Sequence, residues 1–288
     1  MSKRILVTGA TGFIGKTLVS KLLSCGYEVV GLGAGNGDIA DNETLRSLVN
    51  EDIGHVFHLA GKTYVPDSWD DPNEFCRINV MGTINILEFC RQERTPCTFV
   101  SAYVYGHPEQ LPIQEESLIR PSNPYALSKR MAEEACEFYA TAHGMTVTTL
   151  RPFNVYGVGQ DDKFLIPSIV HQALNNEVIS IKDLTPKRDY VYLEDLITAL
   201  MATMGRTGKY SVYNVGSGVS LSVQEVIDTI QEVAGTNKKI VCDNKVRNNE
   251  LMDVVANISR AGKELGWRPE YSFRAGIEFI IRSERGKS

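Results

Sequence analysis

The chain has 288 residues, 43% of them hydrophobic and 23% charged; this excludes a disordered or collagen-like polymer and leaves ample material for a core. The length fits one large α/β domain or two closely joined ones. With 30 Lys and Arg against 35 Asp and Glu, the net charge is −5. A mildly acidic chain without a basic run is a poor partner for nucleic acid or an anionic membrane surface.

No apolar run approaches the roughly 18 residues of a membrane span. The Gly- and Thr-rich stretch after Arg4 lacks the hydrophobic region of a secretory signal. Six cysteines (Cys25, Cys76, Cys90, Cys97, Cys136, Cys242) form no C-x-x-C pair. They read as buried or free thiols of a reducing compartment, so the expected location is the cytoplasm. The five histidines show no ligand spacing, and no metal site is expected.

In chain order, Arg4-Ile5-Leu6-Val7 predicts a strand, followed by a helix from Phe13 to Leu23 that stops at Gly26. Glu28-Val29-Val30 and Val56-Phe57-His58-Leu59 predict two more strands, and a long helix is expected over 73–91. Thr98-Phe99-Val100-Ser101 is the next strand. Asn123-Pro124 then reads as an N-cap with proline in the first turn, opening a helix that ends before Gly144. Thr146 to Leu150 returns to a strand. Repeated β-α-β units with near-continuous apolar strands imply a parallel, doubly wound sheet. The last third is less regular: a helix over 165–175, a short strand over 189–193, and a helix over 221–234 starting near Ser220. The expected fold is α/β, a Rossmann-type sheet with a smaller, interwoven C-terminal lobe. Its boundaries are 1–153 plus 187–217 for dinucleotide binding and 154–186 plus 218–288 for substrate binding.

Directly after the first strand comes Thr8-Gly9-Ala10-Thr11-Gly12-Phe13-Ile14-Gly15. Glycines there permit a tight turn, close approach of backbone to a pyrophosphate, and close helix–strand packing. The helix N-terminus adds free N–H groups and a partial positive charge. At a strand-to-helix junction this spacing points to a dinucleotide. Further on, Tyr125-Ala126-Leu127-Ser128-Lys129 places a phenol and an ammonium on one helix face. A nearby ammonium favours the phenolate, and the same lysine can hold a ribose hydroxyl. Ser101, at a strand end, can orient a substrate oxygen and share a proton with Tyr125.

The T-G-x-x-G-x-x-G spacing together with Ser101, Tyr125 and Lys129 resembles the extended short-chain dehydrogenase/reductase family, also described as NAD-dependent epimerases and dehydratases. The resemblance covers nearly the whole chain. It implies catalysis by Ser101, Tyr125 and Lys129, with Tyr125 as acid or base in hydride transfer at a sugar carbon. It implies a nicotinamide dinucleotide held by Gly9, Thr11, Gly12, Phe13, Ile14 and Gly15, by Asp38 and Ile39 at the adenine, by Leu59, Ala60, Gly61 and Lys62, and by Tyr125 and Lys129. Tyr103, Asn154, Arg188 and Arg247 fall at positions facing a nucleoside diphosphate sugar. Arginine forks suit its phosphates.

Within the family, Lys62 and Pro66-Asp67-Ser68-Trp69 look most like the 4-keto reductases of nucleotide-linked 4-keto-6-deoxyhexoses. A 4-epimerase is the alternative, and a non-catalytic cofactor sensor a more distant one. The dehydratases carry an acidic pair after the catalytic serine or threonine, where this chain has Ala102-Tyr103. The stretch Gly31-Leu32-Gly33-Ala34-Gly35-Asn36 offers neither an acid for a ribose diol nor an arginine for a 2′-phosphate. NAD and NADP therefore stay open. The short link from there to Asp38 implies that one crossover helix is missing or reduced. The helices over 73–91 and 124–143 resemble those of a four-helix dimer contact, so a homodimer is expected.

Overall fold

The computed structural model describes residues 4–46, 48–49, 51–243 and 251–286. The chain begins with β1 (Arg4–Thr8), α1 (Phe13–Ser24) and β2 (Glu28–Leu32), then a short turn of 3-10 helix and α2 (Glu43–Arg46) lead to β3 (Ile53–His58). Next come α3 (Val65–Asp70), α4 (Pro72–Cys76), a π-helical turn (Arg77–Met81), α5 (Gly82–Glu93), β4 (Cys97–Val100), α6 (Pro124–His143) and β5 (Val147–Pro152). The remainder is β6 (Asn154–Tyr156), α7 (Leu165–Asn175), β7 (Val178–Ile181), β8 (Lys187–Tyr192), α8 (Leu193–Ala202), β9 (Tyr210–Val215), β10 (Ser220–Ser222), α9 (Val223–Ala234), β11 (Lys239–Cys242), α10 (Ser259–Glu264) and α11 (Phe273–Arg285).

Six strands form one parallel sheet in the order β2-β1-β3-β4-β5-β9. Alternation along β1 shows how both faces are filled. Ile5 and Val7 join Leu18, Leu22, Leu196 and Leu200 under α1 and α8, whereas Leu6 joins Ile86, Leu87, Ala132 and Cys136 under α5 and α6. A strand buried on both faces is apolar along its middle, as Ile5-Leu6-Val7 of β1 is. The link from β2 to β3 holds only the 3-10 turn and the four-residue α2. The reduced crossover expected from the sequence is what the fold contains.

Two small sheets build the second lobe: β10-β8-β6 and β11-β7. Their core gathers Tyr156, Ile169, Tyr190, Ile227 and Ile280. Trp267 ties the lobe down, donating its indole N–H to the Asp195 carbonyl at 3.0 Å and to Thr198 Oγ1 at 2.9 Å.

The helical run expected over 73–91 is present as α4, a π turn and α5 in unbroken succession, and just after the turn the Thr83 hydroxyl donates to the Asn79 carbonyl at 2.6 Å. One helix expectation needs correction. The helix expected from about Ser220 begins at Val223. Ser222 and Glu225 form a capping box, so residues 220–222 are left to pair with β8.

Candidate active site

The sheet order reverses between β1 and β3, the place where open α/β sheets bind ligands beyond their strand ends. Backbone meets backbone there. Gly9 has φ +71°, and a Cβ on it would stand 2.8 Å from the Ala60 nitrogen; one on Gly15 would stand 2.0 Å from the Gly9 carbonyl. Only glycine fits either position. Gly12 caps α1 with no side-chain hydrogen bond, which leaves the first N–H groups facing outward for an anion. Thr11 is exposed at the rim beside Gly33, whose added Cβ would meet the Thr11 side chain at 2.5 Å. Phe13 and Ile14 pack into the core under α1. This cradle, too narrow for any side chain, fits the pyrophosphate of a dinucleotide.

A directional chain of hydrogen bonds supports its far wall. The Ala60 N–H donates to Thr8 Oγ1 at 3.2 Å, and Thr8 Oγ1 lies 2.8 Å from His58 Nδ1. His58 Nε2 lies 3.0 Å from Thr83 Oγ1, whose proton goes to the Asn79 carbonyl. Since each hydroxyl has one proton to give, Nδ1 accepts and Nε2 donates, and the ring is neutral. Burial first, and the Lys129 charge second, push His58 down to about 3.

Asn79 closes the wall. Its Oδ1 accepts from the Lys62 N–H at 2.8 Å, while its Nδ2 donates to the Lys62 carbonyl at 3.1 Å and to Ser128 Oγ at 2.9 Å. Gly61 must be bare, because a Cβ would meet Asn79 Oδ1 at 2.7 Å. At the other end of the cleft, Asp38 accepts from the Ala40 N–H at 2.9 Å and from Arg77 at 2.5 Å. Ile39 is buried and lies against Gly82.

The reacting groups sit on α6 and at the end of β4. Asn123 Oδ1 accepts from the Ala126 N–H at 2.8 Å, and Pro124 fills the first turn. This cap sets the azimuth of the helix, and with it the face carrying Tyr125 and Lys129. Lys129 is buried and its Nζ donates to the Val100 carbonyl at 2.8 Å, above the Phe99 ring at 4.7 Å. Burial pulls Lys129 down to about 8. Ser101 is 3% exposed, its N–H donates to the Leu150 carbonyl at 2.8 Å, and its Oγ has no hydrogen-bond partner among the described residues. A buried hydroxyl of this kind is costly unless a ligand completes it.

Tyr125 departs from expectation. Its ring meets Phe75 edge-on at 6.3 Å, and burial alone pushes its phenol up, away from the phenolate expected beside an ammonium. The Lys129 ammonium does not offset this burial, and one of its N–H groups donates to the Val100 carbonyl.

The residues expected on the substrate side come from several elements. Asn154 donates to the Asp189 carbonyl at 3.2 Å, in register with Tyr190. Arg188 donates to the Lys187 carbonyl at 2.8 Å and to the Leu251 carbonyl. Its neighbour Asp189 anchors the strand by accepting from Ser217, Gly218 and Ala256 N–H groups. Tyr103 turns its hydroxyl back to the Gly106 carbonyl at 2.5 Å, its ring edge-on to Tyr105 and Phe153. Arg247 lies outside the described residues. Beneath this loop Arg151 is fully engaged by Glu133, Tyr105 and the Glu115 carbonyl. A polar cavity of about 460 Å³ lined by Arg130, Arg151, Tyr210 and Arg260 shares none of the reacting groups.

Sequence reasoning did not single out His58, Asn79, Thr83 or Ser128 as parts of the site. Their signal is only tertiary, because the four meet from β3, the π turn, α5 and α6. A glycine cradle at a Rossmann switch point, followed by a buried Ser101 and Lys129 and a half-buried Tyr125, defines a dinucleotide-dependent enzyme. Residues 5–216 match the NAD dependent epimerase/dehydratase family, and the chain belongs to it.

The chain is 32% identical to the GDP-6-deoxy-D-mannose reductase of Pseudomonas aeruginosa, over 98% of this chain and 97% of that one. It is 34% identical to a putative UDP-glucose 4-epimerase of Methanocaldococcus jannaschii, over 96% and 97%. The solved structure of RMD from Pseudomonas aeruginosa complexed with NADPH superposes with a TM-score of 0.91 at 31% identity, covering 99% of each chain.

Proposed function

We propose that this protein is an NAD(P)-dependent nucleotide-sugar oxidoreductase that reduces a 4-keto-6-deoxyhexose linked to a nucleoside diphosphate. The observation that carries the reading is the buried Ser101 hydroxyl, which has no hydrogen-bond partner among the described residues and follows the β4 carbonyl that holds Lys129. Reduction of a ketone needs such a donor. Similarity to a GDP-6-deoxy-D-mannose reductase and to a structure holding NADPH supports it.

When bound, the reduced nicotinamide supplies the hydride. The chain's own groups do the rest. Ser101 donates a hydrogen bond to the keto oxygen, and Tyr125 gives that oxygen its proton as the carbon is reduced. Lys129, anchored on Val100, faces the ribose hydroxyls. The cofactor would be held by Gly9, Thr11, Gly12, Phe13, Ile14, Gly15, Asp38, Ile39 and the Leu59–Lys62 backbone. Residues 1–153 with 187–217 serve the cofactor and residues 154–186 with 218–288 the substrate, which Asn154 and Arg247 of the second part meet together with Arg188 and Tyr103 of the first.

Leu127, Met131 and Phe138 form one exposed apolar stripe along α6, with Met81 also exposed at the start of α5. Spacings of four and seven residues keep the stripe on one face, and a second copy of the chain is its proposed cover. No helix among the described residues is long and apolar enough to cross a membrane. All six cysteines are free thiols, which suits the cytoplasm.

The competing reading is a 4-epimerase, favoured by the similarity to a putative UDP-glucose 4-epimerase. An epimerase must keep its cofactor between half-reactions, whereas a reductase releases it every cycle. Protein purified without added cofactor should be largely empty, and should oxidise NADPH or NADH in step with a supplied nucleotide-linked 4-keto-6-deoxyhexose. Protein that arrives loaded with NAD, and interconverts 4-hydroxy epimers with no net change in reduced-nicotinamide absorbance, is the epimerase instead.

A further inference from the structure

Arg77 opens the π-helical turn at the rim of the cleft, and nothing in the proposed chemistry uses it. Its guanidinium is committed on three sides. Nε and Nη2 make a bidentate fork onto the two Glu74 oxygens at 2.7 and 2.9 Å, and Nη1 donates to Asp38 Oδ2 at 2.5 Å. Glu74 is itself fixed, since its N–H donates to Asp71 at the start of α4 and its carboxylate lies 3.9 Å from Lys62 Nζ. Arg77 and Asp38 are both substantially exposed, and exposed ion pairs add little to stability. An arginine held this firmly at a cleft rim orients its partner more than it stabilises the fold.

Asp38 is the partner so oriented. Its Oδ1 accepts from the Ala40 N–H and its carbonyl from the Thr44 hydroxyl at 2.6 Å. Each carboxylate oxygen therefore keeps a lone pair for one further donor. Asp38 follows the end of β2, on the side of β1 away from β3. In a doubly wound sheet that is the half of the crevice nearest the adenosine portion of a dinucleotide. Two residues after Arg77, Asn79 grips the Lys62 backbone and Ser128, next to the buried Lys129. One turn of backbone thus touches both ends of the cleft.

We propose that Arg77 is a positioning residue for the cofactor, holding the Asp38 carboxylate so that its outer lone pairs accept the exocyclic amine of the adenine. The proposal rests on the dinucleotide-dependent reading given above. It makes Arg77 matter only to ligands that carry an adenine.

The test compares the wild-type protein with Arg77→Met, Arg77→Lys, Asp38→Ala and the Arg77→Met/Asp38→Ala double variant. Fluorescence titration measures the Kd for NADPH and NADH, and for reduced nicotinamide mononucleotide, which lacks the adenosine half. Arg77→Met should raise the dinucleotide Kd about tenfold, in the range of one charge-assisted hydrogen bond, and leave the mononucleotide Kd within about twofold. Arg77→Lys should recover part of the loss, and the double variant should bind no worse than Asp38→Ala. Equal weakening toward the mononucleotide would make Arg77 a scaffold for Asn79 and overturn the proposal. So would additive effects in the double variant, or an unchanged dinucleotide Kd. Wild-type protein that binds no dinucleotide would overturn the cofactor reading as well.

Discussion

Lys129 donates to the carbonyl of Val100 at 2.8 Å, so α6 is bolted to the end of β4, one residue before Ser101. That bond fixes the ammonium at the β4 end of the cleft. Replacing Lys129 by Met removes the bolt and the charge together. Cofactor Kd should rise and turnover should fall, the latter by roughly 10² or more if proton transfer depends on this geometry. Untouched cofactor affinity in the Met variant would show that Lys129 does not serve the ribose.

Tyr125→Phe keeps the ring against Phe75 and removes only the hydroxyl. Turnover should drop by roughly 10²–10⁴, the usual span for general acid catalysis, with cofactor Kd little changed. Steady-state kinetics beside a binding titration checks this. Near-normal turnover would take Tyr125 out of the mechanism.

The alkaline side of the pH profile should belong to Lys129. Burial lowers it to about 8, while burial raises Tyr125. As pH climbs through about 8 the lysine loses its charge and the phenol keeps its proton, so reductive turnover should decline there. Lys129→Arg cannot titrate in this range, and its profile should lose that limb even if its rate is low. A limb that persists in the Arg variant belongs to another group.

On the acid side, two buried histidines set the stability. Burial lowers His55 to about 4 and His58 to about 3, from an ordinary value of 6.5. Below pH 6.5 the unfolded chain takes up protons that the native rings refuse, so acidification favours unfolding. The urea midpoint should fall steadily from pH 6.5 toward 4, and His55→Gln should flatten the slope. His55 is the cleaner probe because its ring bonds Thr98 on β4, which bonds onward to Thr203 and not to the residues of the cleft. An unaltered slope would assign the acid sensitivity to carboxylates.

Glu133 and Arg151 form a pair with almost no solvent exposure, and Arg151 also holds Tyr105 beneath the loop after Ser101. Glu133→Gln leaves a buried guanidinium short of its counter-charge, which should cost about 3–5 kcal/mol. Glu133→Gln combined with Arg151→Met should recover part of that loss in chemical denaturation. A fully additive double variant would argue against the coupling.

The two ends of the cofactor path differ in how far local rules reach. The glycine cradle could be read directly from spacing, because Gly15 answers to the Gly9 carbonyl within one strand-turn-helix unit and Gly9 to its own positive φ, although the Ala60 backbone that crowds Gly9 comes from beyond β3. Tyr125 and Lys129 were legible for the same reason: four residues on a capped helix share a face whatever surrounds it. Local pattern could not supply the π turn or the reach of Asn79 from it across to Lys62 and Ser128.

Protonation was also beyond local reach. The sequence places an ammonium near a phenol; that the same ammonium also bonds the Val100 carbonyl depends on β4, a separate element. Spacing along a helix determined which residues stand together. Burial and long-range hydrogen bonds, which depend on distance through space, decided that Tyr125 keeps its proton, that His58 stays neutral, and that Arg77 points at Asp38.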